Sequence, residues 1–126
     1  MEGCIISNKS ISWRDLEHLI ASPKPLRLSN LSKKAIKNSN QSLLKILRSG
    51  RVIYGVNTGF GKLSSVPIES EDLKKLQLNL VRSHAAGTGK PFDLGITRLT
   101  MALKILTWSK GYSGVRPKLV TLLLKM

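Results

Sequence analysis

The sequence predicts a mostly α-helical protein in which one glycine-rich loop interrupts the helices. Apolar side chains recur at helical spacing in five segments, and glycine and proline residues separate those segments. The stretch from Val52 to Lys62 breaks this pattern, because it places three glycines within seven residues directly after Tyr54. A chain of 126 residues, 41% of them hydrophobic, favours a single domain over residues 1–126 with its own core.

The first two helices have clear start and stop signals. Ser12 and Asp15 predict a helix over about residues 13–21, which Pro23 ends. Ser29 is a good N-cap for a second helix that reaches about Ser49. The polar run Asn38-Ser39-Asn40 favours turns and predicts a kink or a break in that helix. An apolar stripe along this helix comprises Leu31, Ala35, Leu43, Ile46 and Leu47.

Residues 51–53 are predicted to form a short strand or an extended segment that leads into the glycine loop. Three further helices are predicted after the loop. Ser70 predicts the start of a third helix, with His84 near its C-terminal end. Its predicted buried face comprises Leu73, Leu76, Leu80 and Val81. Asp93 predicts the cap of a fourth helix, which ends at Gly111. A fifth helix over residues 115–126 has Pro117 in its first turn, and its leucines indicate an interface or a truncated chain.

Composition and charge argue against a nucleic-acid partner, a membrane span and a metal site. The net charge of +14 makes nucleic acid the first partner to consider, but the basic residues are spread evenly and aromatic residues are few, which argues against that partner. No apolar run is long enough to cross a membrane and the start lacks a signal-peptide pattern, so the cytoplasm is the expected location. Two histidines and Cys4 at unrelated spacings predict no metal site, and Cys4 near a loose terminus is expected to do no chemistry.

Three blocks in order carry a family resemblance: residues 54–61 (YGVNTGFG), residues 82–87 (RSHAAG) and residues 110–117 (KGYSGVRP). Together they resemble the histidine and aromatic amino-acid ammonia-lyase family, over most of the chain from about Ser10 onward. The resemblance implies the N-terminal helical part of the ammonia-lyase fold, with a glycine-rich loop around Tyr54. It also implies a homotetramer with shared active sites, and elimination of ammonia from an α-amino acid.

The resemblance also implies roles for particular residues. Tyr54 matches the base that removes the β-proton of the substrate, and Arg51 and Arg82 are candidates for the positive charge that a phenolate base needs. Ser83 and His84 match the substrate-binding pair of relatives that act on L-histidine, with urocanate as product. The alternative for His84 is a histidine that satisfies helix-end carbonyls. Asn57 and Gly61 match the loop without an assigned role.

The family's prosthetic group is a methylidene-imidazolone made from an internal Ala-Ser-Gly, and this sequence contains no Ala-Ser-Gly. The chain is therefore expected to be inactive alone, as a fragment that a companion chain or full-length lyase subunits would complete. Two alternatives remain. A basic nucleic-acid-binding module predicts steeply salt-dependent binding, whereas a non-catalytic interaction protein predicts co-purification with a full-length relative.

Overall fold

Helices dominate the computed structural model, which describes residues 4–7, 11–21, 25–69 and 71–126. The elements in chain order are β1 (Cys4–Ile6), α1 (Trp13–Ala21), β2 (Leu26–Leu28), α2 (Asn30–Arg48), a short 3₁₀ helix (Gly61–Leu63), α3 (Leu73–His84), α4 (Leu94–Ser109) and α5 (Pro117–Lys125). The prediction of a mostly α-helical fold is confirmed. Among the described residues, none of the helices combines the length and the apolar content that a membrane span requires.

The start of α1 is fixed by a reciprocal cap. The Ser12 Oγ accepts a hydrogen bond from the Asp15 N–H at 3.2 Å, and the Asp15 Oδ2 accepts from the Ser12 N–H at 3.0 Å and from the Ser12 hydroxyl at 2.6 Å. The bond from the Ser12 hydroxyl lowers the pKa of Asp15 most, and the bond from the Ser12 N–H lowers it further. The helix-start signal in the sequence is therefore confirmed.

Helix α2 runs without a break from Asn30 to Arg48, so the predicted interruption at Asn38-Ser39-Asn40 is wrong. The side chains of Ser39 and Asn40 bond to another segment instead of to their own backbone. The Ser39 Oγ accepts from the Gly114 N–H, and the Asn40 Nδ2 donates to the Gly114 carbonyl, both at 2.9 Å. Since these groups have partners, they do not compete with the helical hydrogen bonds.

The structure also defines the start and the buried face of α2. Its N-cap is confirmed, because the Ser29 Oγ accepts from the Ser32 N–H at 3.1 Å. In its apolar stripe, Leu31 is 58% exposed and Ile46 is 36% exposed, while Ile36, which is not in the stripe, is buried. The face of α2 that packs on the core is therefore centred near Ile36 and not on the apolar stripe.

A short parallel pair of strands was not predicted. Cys4, Ile5 and Ile6 of β1 pair with Leu26, Arg27 and Leu28 of β2, and the Cys4 N–H donates to the Pro25 carbonyl at 3.0 Å. Cys4 is half-buried in this pair, so the expected loose terminus is wrong at this position. Three-residue strands leave almost no period-two pattern in a sequence, which explains the omission.

The chain forms two compact units, Met1–Leu44 with Pro91–Met126, and Lys45–Lys90. In the first unit, the buried side chains of Ile6, Ile36, Ile105, Leu106 and Val120 make the core. Val120 shows that α5 already has a packing surface within the unit. Leu122 of the same helix is 57% exposed. Some apolar residues of α5 are therefore packed within the unit, and others are open to a partner.

Glycine at position 111 allows α4 to end against α2. Asp93 caps the start of α4, where its Oδ1 accepts from the Gly95 N–H at 2.7 Å, as predicted. Gly111 follows the helix with a φ of +78°, and a Cβ on it would lie 2.8 Å from the carbonyl oxygen of Ala35. The left-handed backbone and the close approach both require glycine here.

The second unit contains the glycine loop, the 3₁₀ helix and α3. No described residue of α3 is buried, and Val81 is 66% exposed, so the prediction that Val81 belongs to a buried face is wrong. Leu73, Leu76 and Leu80 are half-buried. The N-cap of α3 is Asp72, which makes no side-chain capping bond, and Ser70, the predicted cap, lies outside the described residues. Residues 51–53 do not form a strand.

Candidate active site

Tyr54 lies in a tight turn that its neighbours hold from both sides. Gly55 has a φ of +71°, and its N–H donates to the Thr58 Oγ1 at 3.1 Å. On the other side, the carbonyl of Ile53 accepts from the N–H groups of Val56 and Asn57 at 3.1 and 3.2 Å. The peptides before and after Tyr54 are thus fixed, while the phenol itself is 65% exposed.

Asn57 has a structural role in this turn that the sequence did not reveal. Its Oδ1 accepts from the Ile53 N–H at 2.7 Å, and its Nδ2 donates to the Arg51 carbonyl at 3.0 Å. Its own carbonyl accepts from the Ile68 N–H at 2.9 Å. Asn57 therefore ties the segment before Tyr54 to the segment after the 3₁₀ helix. Its bond to the Arg51 carbonyl requires the amide donor, which an aspartate or a leucine lacks.

Thr58 is the residue of the turn that sequence reasoning missed. It has no exposed surface, and its Oγ1 donates to the Gly59 carbonyl at 2.9 Å while it accepts from the Gly55 N–H. It also forms an isolated antiparallel bridge with Pro67. The available signal was a hydroxyl residue among glycines, since such residues commonly bond to nearby backbone groups in turns.

The ring of Phe60 packs against Tyr54. Their ring centroids lie 5.9 Å apart at an interplanar angle of 70°, which is the edge-to-face arrangement that aromatic pairs prefer. A Cβ on Gly55 would lie 3.3 Å from the Cε1 of Phe60, so a larger residue at position 55 would press on this ring. Gly61, the other predicted loop residue, has a φ of +59° and begins the 3₁₀ helix.

Ser83 and His84 lie at the C-terminal end of α3, where both are exposed. The Nδ1 of His84 lies 2.8 Å from the Leu80 carbonyl oxygen and 3.0 Å from the Ser83 Oγ. The Ser83 hydroxyl also donates to the Leu80 carbonyl at 3.1 Å. One ring nitrogen of His84 thus satisfies a helix-end carbonyl, as the alternative interpretation expected, while the ring's other nitrogen is not used by that bond.

Tyr54 and His84 both belong to the unit Lys45–Lys90. No hydrogen bond between described residues joins Tyr54 to Ser83 or His84. A groove of about 770 Å³ lies in the other unit, and none of the predicted site residues lines it. In the part of the chain that the structure describes, no three histidine, cysteine or carboxylate side chains are grouped in a way that could hold a metal ion.

Comparison with known proteins decides the family. The sequence model of the aromatic amino acid lyases matches residues 11–126. The chain belongs to this family. The predicted family resemblance is thereby confirmed, and the match includes the Tyr54 turn, the Ser83–His84 pair and the segment after α4.

The relatives of this aromatic amino acid lyase chain include several histidine ammonia-lyases. The chain is 42% identical over 112 residues to the one from Yersinia enterocolitica, covering 89% of this chain and 22% of the relative. It is 38% identical over 120 residues to the one from Geobacillus thermodenitrificans, covering 95% and 24%. The chain thus spans about a quarter of the length of these curated relatives.

A solved structure agrees in fold with this lyase-family chain. The histidine ammonia-lyase from Trypanosoma cruzi superposes with a TM-score of 0.86 at 31% identity, over 98% of this chain and 24% of that one. The helical architecture described above is therefore that of the ammonia-lyase fold. The roles of Tyr54, Ser83, His84, Asn57 and Gly61 in a reaction stay predictions.

Proposed function

We propose that this chain is the N-terminal segment of a histidine ammonia-lyase, which converts L-histidine to urocanate and ammonia. The observation that carries the proposal is the similarity to histidine ammonia-lyases over nearly the whole chain, at up to 42% identity among the relatives described above. The Ser83–His84 pair at the end of α3 supports L-histidine as the substrate, because an imidazole can exchange a hydrogen bond with the substrate's ring.

Tyr54 is proposed as the general base. Elimination of ammonia requires removal of a proton from the β-carbon, and a phenolate oxygen can accept that proton. An ordinary phenol has a pKa of about 10, so a base near neutrality needs positive charge or hydrogen-bond donors close to its oxygen. Support comes from the rigid backbone around Tyr54, which fixes the direction of a side chain that is open to a substrate.

The prosthetic group that the family resemblance implies does not fit this chain. A methylidene-imidazolone forms from an Ala-Ser-Gly tripeptide, and the 126 residues contain none. We therefore derive no step through that group. The residues present would hold the substrate ring and remove its proton, while the electrophile would have to come from another polypeptide segment, so the chain alone is expected to be inactive.

Exposed apolar side chains support association of this chain with other lyase polypeptides. Val81 on α3 is 66% exposed, Leu122 on α5 is 57% exposed, and Phe92 before α4 is 82% exposed. Removing such apolar surface from water favours association with a partner. We propose that a companion chain or full-length lyase subunits cover these side chains, in a cytoplasmic homotetramer of the complete enzyme.

A urocanate absorbance assay with L-histidine tests this proposal. The purified chain is expected to give no turnover, and a companion polypeptide that carries the Ala-Ser-Gly segment is expected to restore it. In the restored enzyme, Tyr54→Phe should lower kcat by about 10²- to 10⁴-fold, the usual contribution of a general base. Tyr112→Phe is the matched control, since Tyr112 is 90% exposed and is the only other tyrosine.

Two results would contradict the proposal in different ways. Turnover by the chain alone would refute its inactivity, and full activity in Tyr54→Phe would exclude Tyr54 as the base. If the restored enzyme released ammonia from L-phenylalanine but not from L-histidine, the substrate assignment would be wrong while the lyase reaction would stand.

A further inference from the structure

The proton on the neutral His84 ring has a defined position. The Leu80 carbonyl oxygen, 2.8 Å from Nδ1, can only accept a hydrogen bond. A bond at this distance therefore requires the proton to be on Nδ1, because a lone pair on Nδ1 would face the lone pairs of the carbonyl. The helix end thus selects one of the two neutral tautomers.

Ser83 selects the same tautomer. Its hydroxyl donates to the Leu80 carbonyl at 3.1 Å, which leaves the lone pairs of Oγ to face the Nδ1 of His84 at 3.0 Å. If the hydroxyl instead donated to Nδ1, the 2.8 Å contact between Nδ1 and the carbonyl would join two acceptors. Only the Nδ1-protonated ring satisfies all three contacts, so Ser83 and the carbonyl of Leu80 act together on His84.

The opposite edge of the ring is then an acceptor. With the proton on Nδ1, the lone pair of the neutral ring lies on Nε2, and no described residue makes a hydrogen bond to that atom. His84 is exposed, so a ligand can reach this edge. An acceptor in this position favours a ligand ring that carries an N–H or O–H donor over a hydrocarbon ring.

We propose that Ser83 is a positioning residue that holds His84 in the Nδ1-protonated tautomer, and that the Nε2 of His84 accepts a hydrogen bond from a ring N–H of the substrate. The identity of the substrate rests on the proposed function, whereas the tautomer does not. Ser83 is thereby distinguished from a residue that touches the substrate itself. The proposal fixes the direction of the hydrogen bond: the substrate's imidazole donates and the protein's imidazole accepts.

Nitrogen NMR of the ¹⁵N-labelled chain tests the tautomer without any activity. At pH about 8.5, above the usual pKa range of histidine, long-range ¹H–¹⁵N spectra distinguish protonated from unprotonated ring nitrogens. His18 is the only other histidine, so His18→Gln assigns the signals. We expect the His84 Nδ1 in the protonated range and its Nε2 in the unprotonated range. A major Nε2-protonated form in the wild type would overturn the proposal.

Substitutions at position 83 test the role of the hydroxyl. Ser83→Ala removes one neutral hydrogen bond to the ring. The ratio of Nδ1-protonated to Nε2-protonated ring should therefore fall by about two- to tenfold, the effect expected for the loss of one such bond. Ser83→Thr keeps the hydroxyl and should keep the ratio. An unchanged ratio in Ser83→Ala would remove the positioning role from Ser83.

The restored enzyme separates this inference from the proposed function. There, Ser83→Ala should raise KM for L-histidine by about two- to tenfold with a smaller effect on kcat. The inhibition constant of L-phenylalanine, which has no ring donor, should not change. Equal changes for both amino acids would overturn the acceptor role of Nε2. If the NMR result holds but no lyase activity can be restored, the proposed function fails while the tautomer and the role of Ser83 stand.

Discussion

Replacing Gly111 by alanine should lower the free energy of unfolding more than the same change at Gly50. The two glycines are closely matched, because each is the second residue after the end of a helix, α4 or α2, and each donates its N–H to a carbonyl three residues earlier, at 3.0 and 3.1 Å. Their φ angles are +78° and +74°. The backbone cost of an alanine is therefore the same at both positions, about 1–2 kcal/mol.

The surroundings of the two glycines differ. An alanine Cβ at position 50 would meet no atom within 4 Å, whereas at position 111 it would lie 2.8 to 2.9 Å from the O, C and Cβ of Ala35. Backbone atoms within a helix cannot move aside easily, and overpacking of this kind adds about 1–3 kcal/mol. We expect Gly50→Ala to lower the free energy of unfolding by about 1–2 kcal/mol and Gly111→Ala by about 2–5 kcal/mol.

Urea unfolding followed by far-UV circular dichroism measures both changes, because both units contain helices. The fluorescence of Trp108 reports on the first unit, because this ring packs against the core, while Trp13 is 68% exposed. Ala35→Gly in the Gly111→Ala background should restore little, since the Ala35 carbonyl would still be in place. Equal losses for Gly50→Ala and Gly111→Ala would refute the argument that close packing on α2, and not only the left-handed backbone, requires glycine at position 111.

Three further predictions concern the turn at Tyr54 and the start of α1. Asn57→Ala removes the acceptor for the Ile53 N–H, so hydrogen exchange at the Ile53 amide should become faster, while exchange in α4 should not change. Thr58→Val leaves the Gly55 N–H and the Gly59 carbonyl without their buried partner and should cost about 1–3 kcal/mol by chemical denaturation, whereas Thr58→Ser should keep most of the stability. Because hydrogen bonds from Ser12 lower the pKa of Asp15, its contribution to stability is full above about pH 4, the unfolded pKa, and is lost as the pH falls through the lower folded value. Ser12→Ala should raise the Asp15 pKa toward its ordinary value in an NMR titration, and an unchanged titration curve would exclude the capping bonds as the cause.

Helix starts could be predicted from the sequence because their causes are local. Ser12, Ser29 and Asp93 each bond to a backbone N–H two or three residues later, so the residues that decide the structure are adjacent in the chain. Strand β1 and the continuity of α2 could not be predicted in this way. They depend on Leu26 and Gly114, which lie far along the chain from the residues that they bond to.

Burial and the internal geometry of the site were less predictable. The apolar stripe on α3 showed which face is apolar, but no local pattern shows whether another surface covers that face, and Val81 is exposed in this chain. The motif around Tyr54 identified the family, which comparison with known proteins confirmed. The functions of Asn57 and Thr58 as hydrogen-bonding partners of the backbone required coordinates, because each choice of partner depends on angles that residue type alone does not determine.

The hydrogen bonds that shape the turn at Tyr54 all lie within residues 51–68. A structure whose contacts are this close in sequence has a low contact order, and closing such a short loop takes well under a millisecond. The turn can thus form early, from its own residues. The hydrogen bonds that support Tyr54 would then be in place before residues 51–68 pack against any other segment.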